Sequence, residues 1–292
     1  MASPPVDDRY ILTLSCADRK GIVARVAGLI AEFDGFILDS QQYADLDAGR
    51  FFMRLCFRSA GPRFPADWLG VCGAIERPLH EELAADWNLH AVAEKPRCVI
   101  AVSRGSHCLN DLLHRWSTGA LAMDIAAVVS NHETLRDLTE WHGLPFHYLP
   151  VSDENREQQE STISFIMHNA GARYLVLARY MQVLSPDMAD YLKGRCINIH
   201  HSFLPGFKGA KPYHRAHERG VKLIGATAHF VTGDLDEGPI IEQAVERVDH
   251  RDTVDDLIRI GRDIEAQVLA RAVHWVGEQR VLIDGKKTVV FR

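Results

Sequence analysis

From Cys98 onward, short runs of unbroken apolar residues alternate with amphipathic stretches, and this pattern constrains the fold more than any other feature. Runs such as Leu175-Val-Leu-Ala178 have no polar face, as expected of parallel strands covered by helices on both sides. Strands are expected at Val99–Ser103, Ile125–Ser130, Phe146–Leu149, Tyr174–Ala178 and Cys196–His200. Helices fall between them near Leu109–Trp116, Glu133–Trp141, Ser161–Asn169 and Pro186–Leu192. Two later β runs, Leu223–Val231 and Ile240–Val248, precede a long helix over Val254–Val276. The tail from Val281 to Phe291 reads as a hairpin turning at Asp284-Gly285. This part is expected to be a doubly wound, mostly parallel, Rossmann-like sheet.

Before Cys98 the pattern differs. Tyr10–Ser15 is a β run. Asp18-Arg-Lys-Gly-Ile-Val23 then leads into a helix with Ile22, Val26, Leu29, Ile30 and Phe33 on one face. Phe36–Tyr43 and Arg50–Arg58 are two more β runs, joined by an Asp- and Gly-containing turn. A second helix is expected from Ala66 to about Trp87, and a fourth strand over Asn88–Ala93. The order βαββαβ predicts a ferredoxin-like sandwich. Glu94-Lys-Pro-Arg97 is a polar joint, so the expected domains are 8–93 and 97–292. A chain of 292 residues suits two such domains.

Charge and composition exclude several classes. A net charge of −6 does not suit nucleic acid as the main partner, which needs a basic face. The sequence has no apolar run of the ~18 residues expected of a membrane span, and no basic, apolar leader at its start, so neither a membrane span nor a secretory signal is expected. The six cysteines form no Cys-x-x-Cys pair and read as reduced, small core hydrophobes, so a cytoplasmic protein is expected.

The residues that carry chemistry lie late in the chain. Asn198 and His200, two apart at a strand end, leave the same face, and Asp236 follows in a Leu-Asp-Glu-Gly-Pro turn. An amide, an imidazole and a carboxylate converging on one carbonyl suit acyl chemistry. By strand alternation His201 should point to the opposite face from His200, in a supporting role. His229 either braces Asp236 or is a core residue. His214 and His217 read as a solvated helix face, since no third metal ligand stands at suitable spacing.

Asn198-Ile-His-His-Ser-Phe-Leu-Pro205, Ala228-His-Phe-Val-Thr232 and Leu235-Asp-Glu-Gly-Pro-Ile-Ile241 resemble, in order and spacing, the formyltransferases that use formyltetrahydrofolate. The N-terminal unit resembles an ACT domain, and the two joined resemble the formyltetrahydrofolate deformylase family. That resemblance implies hydrolysis of 10-formyltetrahydrofolate to formate and tetrahydrofolate, supplying formate to one-carbon and purine metabolism. Asn198 and a protonated His200 would polarise the formyl carbonyl, and Asp236 would assist attack by water, with neither metal nor cofactor.

The resemblance also implies that Met181, Gln182, Val183 and Leu184, with Thr232, Asp234 and Leu235, hold the folate, largely through the main chain. Glycinamide ribonucleotide transformylases usually carry Arg where this chain has Gln182. Their Gly-Asn-Gly-Ser-Asn phosphate loop is replaced by Ser103-Arg-Gly-Ser-His107, so water rather than an amine is the expected acceptor. Lys208, Lys211 and Arg215 either meet the glutamate tail or form a solvated basic loop. In the ACT unit, Asp18, Arg19, Gly21 and Ile22 would bind an amino-acid effector, glycine or methionine first. ACT pairing also implies a homo-oligomer, a dimer or tetramer; the alternative is that Asp18 merely caps the helix and the unit only dimerises the protein. An amino-acid-sensing regulator with an inactive catalytic domain is the competing reading, disfavoured because Asn198, His200 and Asp236 are all present.

Overall fold

The computed structural model describes residues 7–152, 154–204 and 212–292. The chain divides into two compact units. One comprises residues up to Lys95 with Gln279–Leu282 and Val289–Arg292; the other comprises Pro96–Glu278 with Ile283–Thr288. The C-terminal hairpin, grouped by sequence with the second unit, therefore contributes residues to both.

The first unit is a four-stranded antiparallel sheet, ordered β2-β3-β1-β4, from β1 (Tyr10–Ala17), β2 (Gly35–Asp45), β3 (Arg50–Ser59) and β4 (Asp86–Ala91). That is the expected ferredoxin-like order. Helix α1 (Ile22–Glu32) buries Ile22, Val26, Leu29 and Ile30, the stripe its period requires. Helix α2 is shorter than its hydrophobic pattern suggests, running only from Trp68 to Arg77 before a single π-helical turn at Pro78–Glu82. Pro78 is the reason: it has no N–H to donate and its ring crowds the carbonyl four residues back. The chain thus has time to leave the helix, and β4 starts at Asp86 rather than Asn88.

The second unit is a seven-stranded sheet ordered β11-β10-β9-β8-β5-β6-β7. Its strands are β5 (Arg97–Val102), β6 (Asp124–Ser130), β7 (Phe146–Tyr148), β8 (Tyr174–Leu177), β9 (Cys196–His200), β10 (Leu223–Phe230) and β11 (Ile240–Arg247). Five are parallel; β10 and β11 run antiparallel at one edge. The helices are α3 (His107–Ser117), α4 (Arg136–Trp141), α5 (Arg156–Asn169), α6 (Pro186–Tyr191), α7 (Pro212–Glu218) and α8 (Val254–Gly277). The first strand, β5, lies between β6 and β8, so the winding reverses there. Crevices at the carboxyl ends of strands beside such a reversal are where open α/β sheets bind ligands.

Strands β5 and β8 are buried on both faces, with Val99, Ala101, Leu175 and Leu177 packed in one core cluster with Ile163 of α5 and Met188 of α6. Helix α5 starts five residues earlier than its apolar pattern indicates, because its first turns bury the polar Gln159 and Glu160. Helix α8 opens with a capping box: Thr253 accepts from Asp256 N, and the Asp256 carboxylate accepts from Thr253 N. The C-terminal hairpin pairs β12 (Val281–Asp284) with β13 (Lys287–Val290), Gly285 taking φ +60° at the turn. All six cysteines are free. Among the described residues no helix is long and apolar enough to cross a membrane.

Candidate active site

The carboxyl end of β9 sets the site. Asn198 lies directly opposite His229 of the antiparallel β10, and His200 opposite Thr227. Side chains in such register share a face. Asn198 Nδ2 is 3.2 Å from His229 Nε2, while His229 Nδ1 is 2.9 Å from the Phe230 carbonyl oxygen. A carbonyl only accepts, so Nδ1 carries the proton and Nε2 is free to accept from the amide. The second amide hydrogen of Asn198 is left for another acceptor.

Asp236 reaches the same place by a turn that few sequences could make. It sits at φ +58°, a left-handed conformation that Asp tolerates better than most residues. Two residues on, Gly238 lies so close to β10 that a Cβ there would fall 1.7 Å from the Phe230 carbonyl oxygen. Without a side chain at 238 the turn folds against the strand. Asp236 Oδ2 then stands 3.2 Å from His200 Nδ1, and Oδ1 3.7 Å from His229 Nε2.

Burial works to raise the Asp236 carboxyl, but the imidazole of His200 outweighs it and holds the group far below the usual carboxylate range. Asp236 is therefore an anion, and His200 Nδ1 donates to it. The other nitrogen, His200 Nε2, is buried without a hydrogen-bond partner among the described residues. His200 itself is 7% exposed, so this nitrogen is a polar group awaiting a partner.

Asn198, His200, His229 and Asp236 line a cavity of about 510 Å³, with Met181, Gln182, Val183 and Leu184 on one side and Thr232, Asp234 and Leu235 on another. Its volume falls within the range of small-molecule sites. The exposed apolar side chains of Met181, Val183 and Leu235 belong to this cavity.

Several supports of this cavity carry no signal in sequence. Glu160 accepts from Ser185 N at 2.7 Å and from Ser185 Oγ at 2.5 Å, and Tyr180 donates its hydroxyl to Gln159 at 3.0 Å. Ser103 Oγ accepts from Met181 N at 3.0 Å and donates to Asn131 Oδ1 at 2.7 Å. The 180–185 segment is thus pinned from α5 and from the end of β5. Thr227 pins the chain leaving β9, accepting from Leu204 N at 3.1 Å and donating to the Ser202 carbonyl at 2.9 Å.

His201 departs from expectation. Alternation placed its ring on the far face, yet it stacks on His200 with centroids 4.7 Å apart and planes 25° apart. Strand β9 ends at His200, so the two-residue period no longer applies one position later. Burial, then the charge of Arg179, push the His201 imidazole down to about 4. Arg215 lies on α7, while Lys208 and Lys211 fall outside the described residues. His107, Cys108 and Glu265 are mutually close enough to suggest a metal, but Glu265 already accepts from His107 and Tyr213.

The formyl transferase family pattern matches residues 96–273. The formyltetrahydrofolate deformylase of Bacillus subtilis (strain 168) is 47% identical over 286 residues, covering 98% of this chain and 94% of that protein. The crystal structure of the formyltetrahydrofolate deformylase from Burkholderia mallei ATCC 23344 superposes with a TM-score of 0.92 at 48% identity, covering 98% of this chain and all of that one. The chain belongs to the formyltetrahydrofolate deformylase family. More distant is glycinamide ribonucleotide transformylase 1 from Symbiobacterium toebii, with a TM-score of 0.63 at 28% identity over 68% of this chain and 95% of its own. The deformylase matches thus cover nearly the whole chain, the transformylase match about two-thirds of it.

At the turn after β1, Gly21 stands at the N-cap of α1 with φ +90°, and no side chain caps the helix. The expectation that Asp18 could serve as the cap is therefore not met; its N–H donates to the Gly49 carbonyl. Arg19 donates to the Glu82 carbonyl. Ile22 is buried in the core of its unit, which leaves its main chain rather than its side chain for a ligand.

Proposed function

We propose that this chain hydrolyses 10-formyltetrahydrofolate to formate and tetrahydrofolate, acting as a hydrolase on a linear amide-type C–N bond. Membership of the deformylase family supports an enzyme acting on formyltetrahydrofolate. The observation that carries the reading is the pair of contacts Asn198–His229 and Asp236–His200, with His200, whose Nε2 has no partner among the described residues, lining the 510 Å³ cavity.

In this reading the pterin occupies the cavity between residues 181–184 and 232–235, and the formyl oxygen takes hydrogen bonds from Asn198 Nδ2 and from Nε2 of a protonated His200. Donors aimed at the developing oxyanion are worth most in such a sheltered place. Asp236 holds His200 through Oδ2 and takes the proton of the attacking water on its carboxylate. As the tetrahedral intermediate collapses, the C–N10 bond breaks, N10 takes the proton held by Asp236, and the product loses water's second proton and leaves as formate. No step calls for a metal or a cofactor. His229 orients the amide of Asn198, and His201 supports His200 by stacking.

The same proposal assigns residues 97–292 to catalysis and residues 8–93 to an ACT-type regulatory domain. That domain would bind glycine or methionine around Asp18, Arg19, Gly21 and the main chain of Ile22, and would pair copies into a dimer or tetramer. The protein would act in the cytoplasm and supply formate for purine synthesis. The test is formate release from 10-formyltetrahydrofolate, without any amine, by wild type and by Asp236→Asn. A loss of at least ~100-fold in kcat is expected if Asp236 moves a proton. Wild type that turns over only when an amine is added would overturn the hydrolase reading.

A further inference from the structure

Arg179 is a residue that the proposed mechanism leaves unused and that the fold holds in an uncommon conformation. It follows β8 by two positions and holds φ +63°, a left-handed conformation that costs a non-glycine residue energy. Strain of this kind persists where surrounding contacts over-determine it, and it clusters at functional sites. The contacts are present. Arg179 Nε is 3.3 Å from Glu265 Oε2, and Arg179 Nη1 is 3.0 Å from His201 Nδ1.

Glu265 anchors this arrangement. Its side chain is 2% exposed, and besides Arg179 it receives His107 Nε2 at 2.8 Å and the Tyr213 hydroxyl at 2.7 Å. Burial works to raise its carboxyl, but the His107 hydrogen bond, the Arg179 charge and the Tyr213 hydrogen bond together lower it, so it stays ionised. One turn earlier on α8, Gly261 leaves the space Tyr213 needs: a Cβ there would lie 2.0 Å from the hydroxyl oxygen. Glycine inside a helix costs about 1 kcal/mol relative to alanine, and here that cost admits Tyr213 to Glu265.

His201 completes the row. Arg cannot accept a hydrogen bond, so His201 Nδ1 accepts from it and the ring carries its proton on Nε2. Glu265, Arg179, His201 and His200 thus run in a line from α8 to the reacting centre.

The position of this line matters. On one side is the 510 Å³ cavity with His200 and Asp236; on the other is a second cavity of about 330 Å³, lined by Arg104, His107, His132, Tyr213, Arg262 and Glu265. Arg179, Met181 and Gln182 line both. Met181 and Gln182 belong to the segment that borders the proposed pterin site; Arg179 is the charged side chain common to both cavities, held at both ends by Glu265 and His201.

We propose that Arg179, held between Glu265 and His201, is a specificity-determining partition that reserves the formyl carbon for water by closing it to nucleophiles entering from the second cavity. The inference rests on the hydrolytic reading above. Chemically the two outcomes differ only in the nucleophile. Water adds and gives up both its protons, C–N10 breaks, N10 gains one of them, the other is released and formate leaves; a primary amine adds, C–N10 breaks, N10 gains a proton, the amine nitrogen loses one, and a formamide leaves.

The experiment is product partition. Wild type, Arg179→Gly and His201→Ala are each given 10-formyltetrahydrofolate with and without glycinamide, and formate and N-formylglycinamide are measured by mass spectrometry. Glycine suits φ +63°, so Arg179→Gly relieves backbone strain, and His201→Ala opens the other end of the partition should the first variant not fold. Wild type should give formate in both conditions. The ratio of formylated amine to formate should rise at least ~tenfold in either variant. A general loss of structure would lower both products without moving their ratio. Wild type that releases formate, with variants that stay strictly hydrolytic, overturns the inference alone. Wild type that releases no formate overturns the hydrolytic reading and the inference with it.

Discussion

Gly261→Ala should destabilise this protein, against the ordinary rule for a glycine inside a helix. Alanine is favoured over glycine there by about 1 kcal/mol, and Gly261 lies well within α8 without a left-handed φ. The obstacle is Tyr213. A Cβ at 261 would stand 2.0 Å from its hydroxyl oxygen, 2.2 Å from Cζ and 2.5 Å from Cε1, so the ring itself must move. Moving it breaks the 2.7 Å hydrogen bond to Glu265, and a hydrogen bond to a charged group contributes ~1.5–3 kcal/mol. The difference leaves a net destabilisation of about 0.5–2 kcal/mol. In a Tyr213→Ala background both obstacle and hydrogen bond are gone, and the same substitution should stabilise by about 1 kcal/mol. Urea unfolding of the four proteins, compared by midpoint at constant slope, measures both effects. Gly261→Ala more stable than wild type, or an equal effect in the two backgrounds, would refute the argument.

Acid stability should depend on His201. Its imidazole titrates at about 4 in the folded chain against 6.5 for the unperturbed group. The unfolded state therefore binds the extra proton first, and the stability associated with His201 is complete above pH ~6.5 and is lost as pH falls towards ~4. The loss is at most about 3 kcal/mol, and smaller where water reaches the half-buried ring. His201→Gln should flatten the pH dependence of the unfolding midpoint across this window; an unchanged slope would remove His201 as its source. Isothermal calorimetry with glycine and with methionine on the intact protein should register binding by at least one, and absence of heat and of any change in formate release with both would exclude the effector site around Gly21.

Most of the architecture was legible as pattern. The apolar runs read at 99–103 and 174–178 are strands covered on both faces, as expected, and the stripe Ile22, Val26, Leu29, Ile30 is the buried side of a helix. Misreadings occurred where a local rule met something from outside it. Pro78 cut α2 short, and the buried polar residues Gln159 and Glu160 hid the start of α5. His201 was assigned to the wrong face because the strand ended one residue before it.

What the sequence determined by itself, then, is the alternation of elements and the chemical kind of the reacting groups, since periodicity and residue type are local properties of the chain. Asn198 and His200 lie two residues apart on one strand, and their common face follows from strand geometry alone. Only the tertiary structure decided which nitrogen of His200 is free, because that depends on Asp236 arriving through a turn that Gly238 allows to lie against β10. It alone also brought Arg179 and His201, which follow β8 and β9, together with Glu265 of α8. Burial and hydrogen-bond direction arise from contacts between residues far apart in sequence, and no period along the chain encodes them.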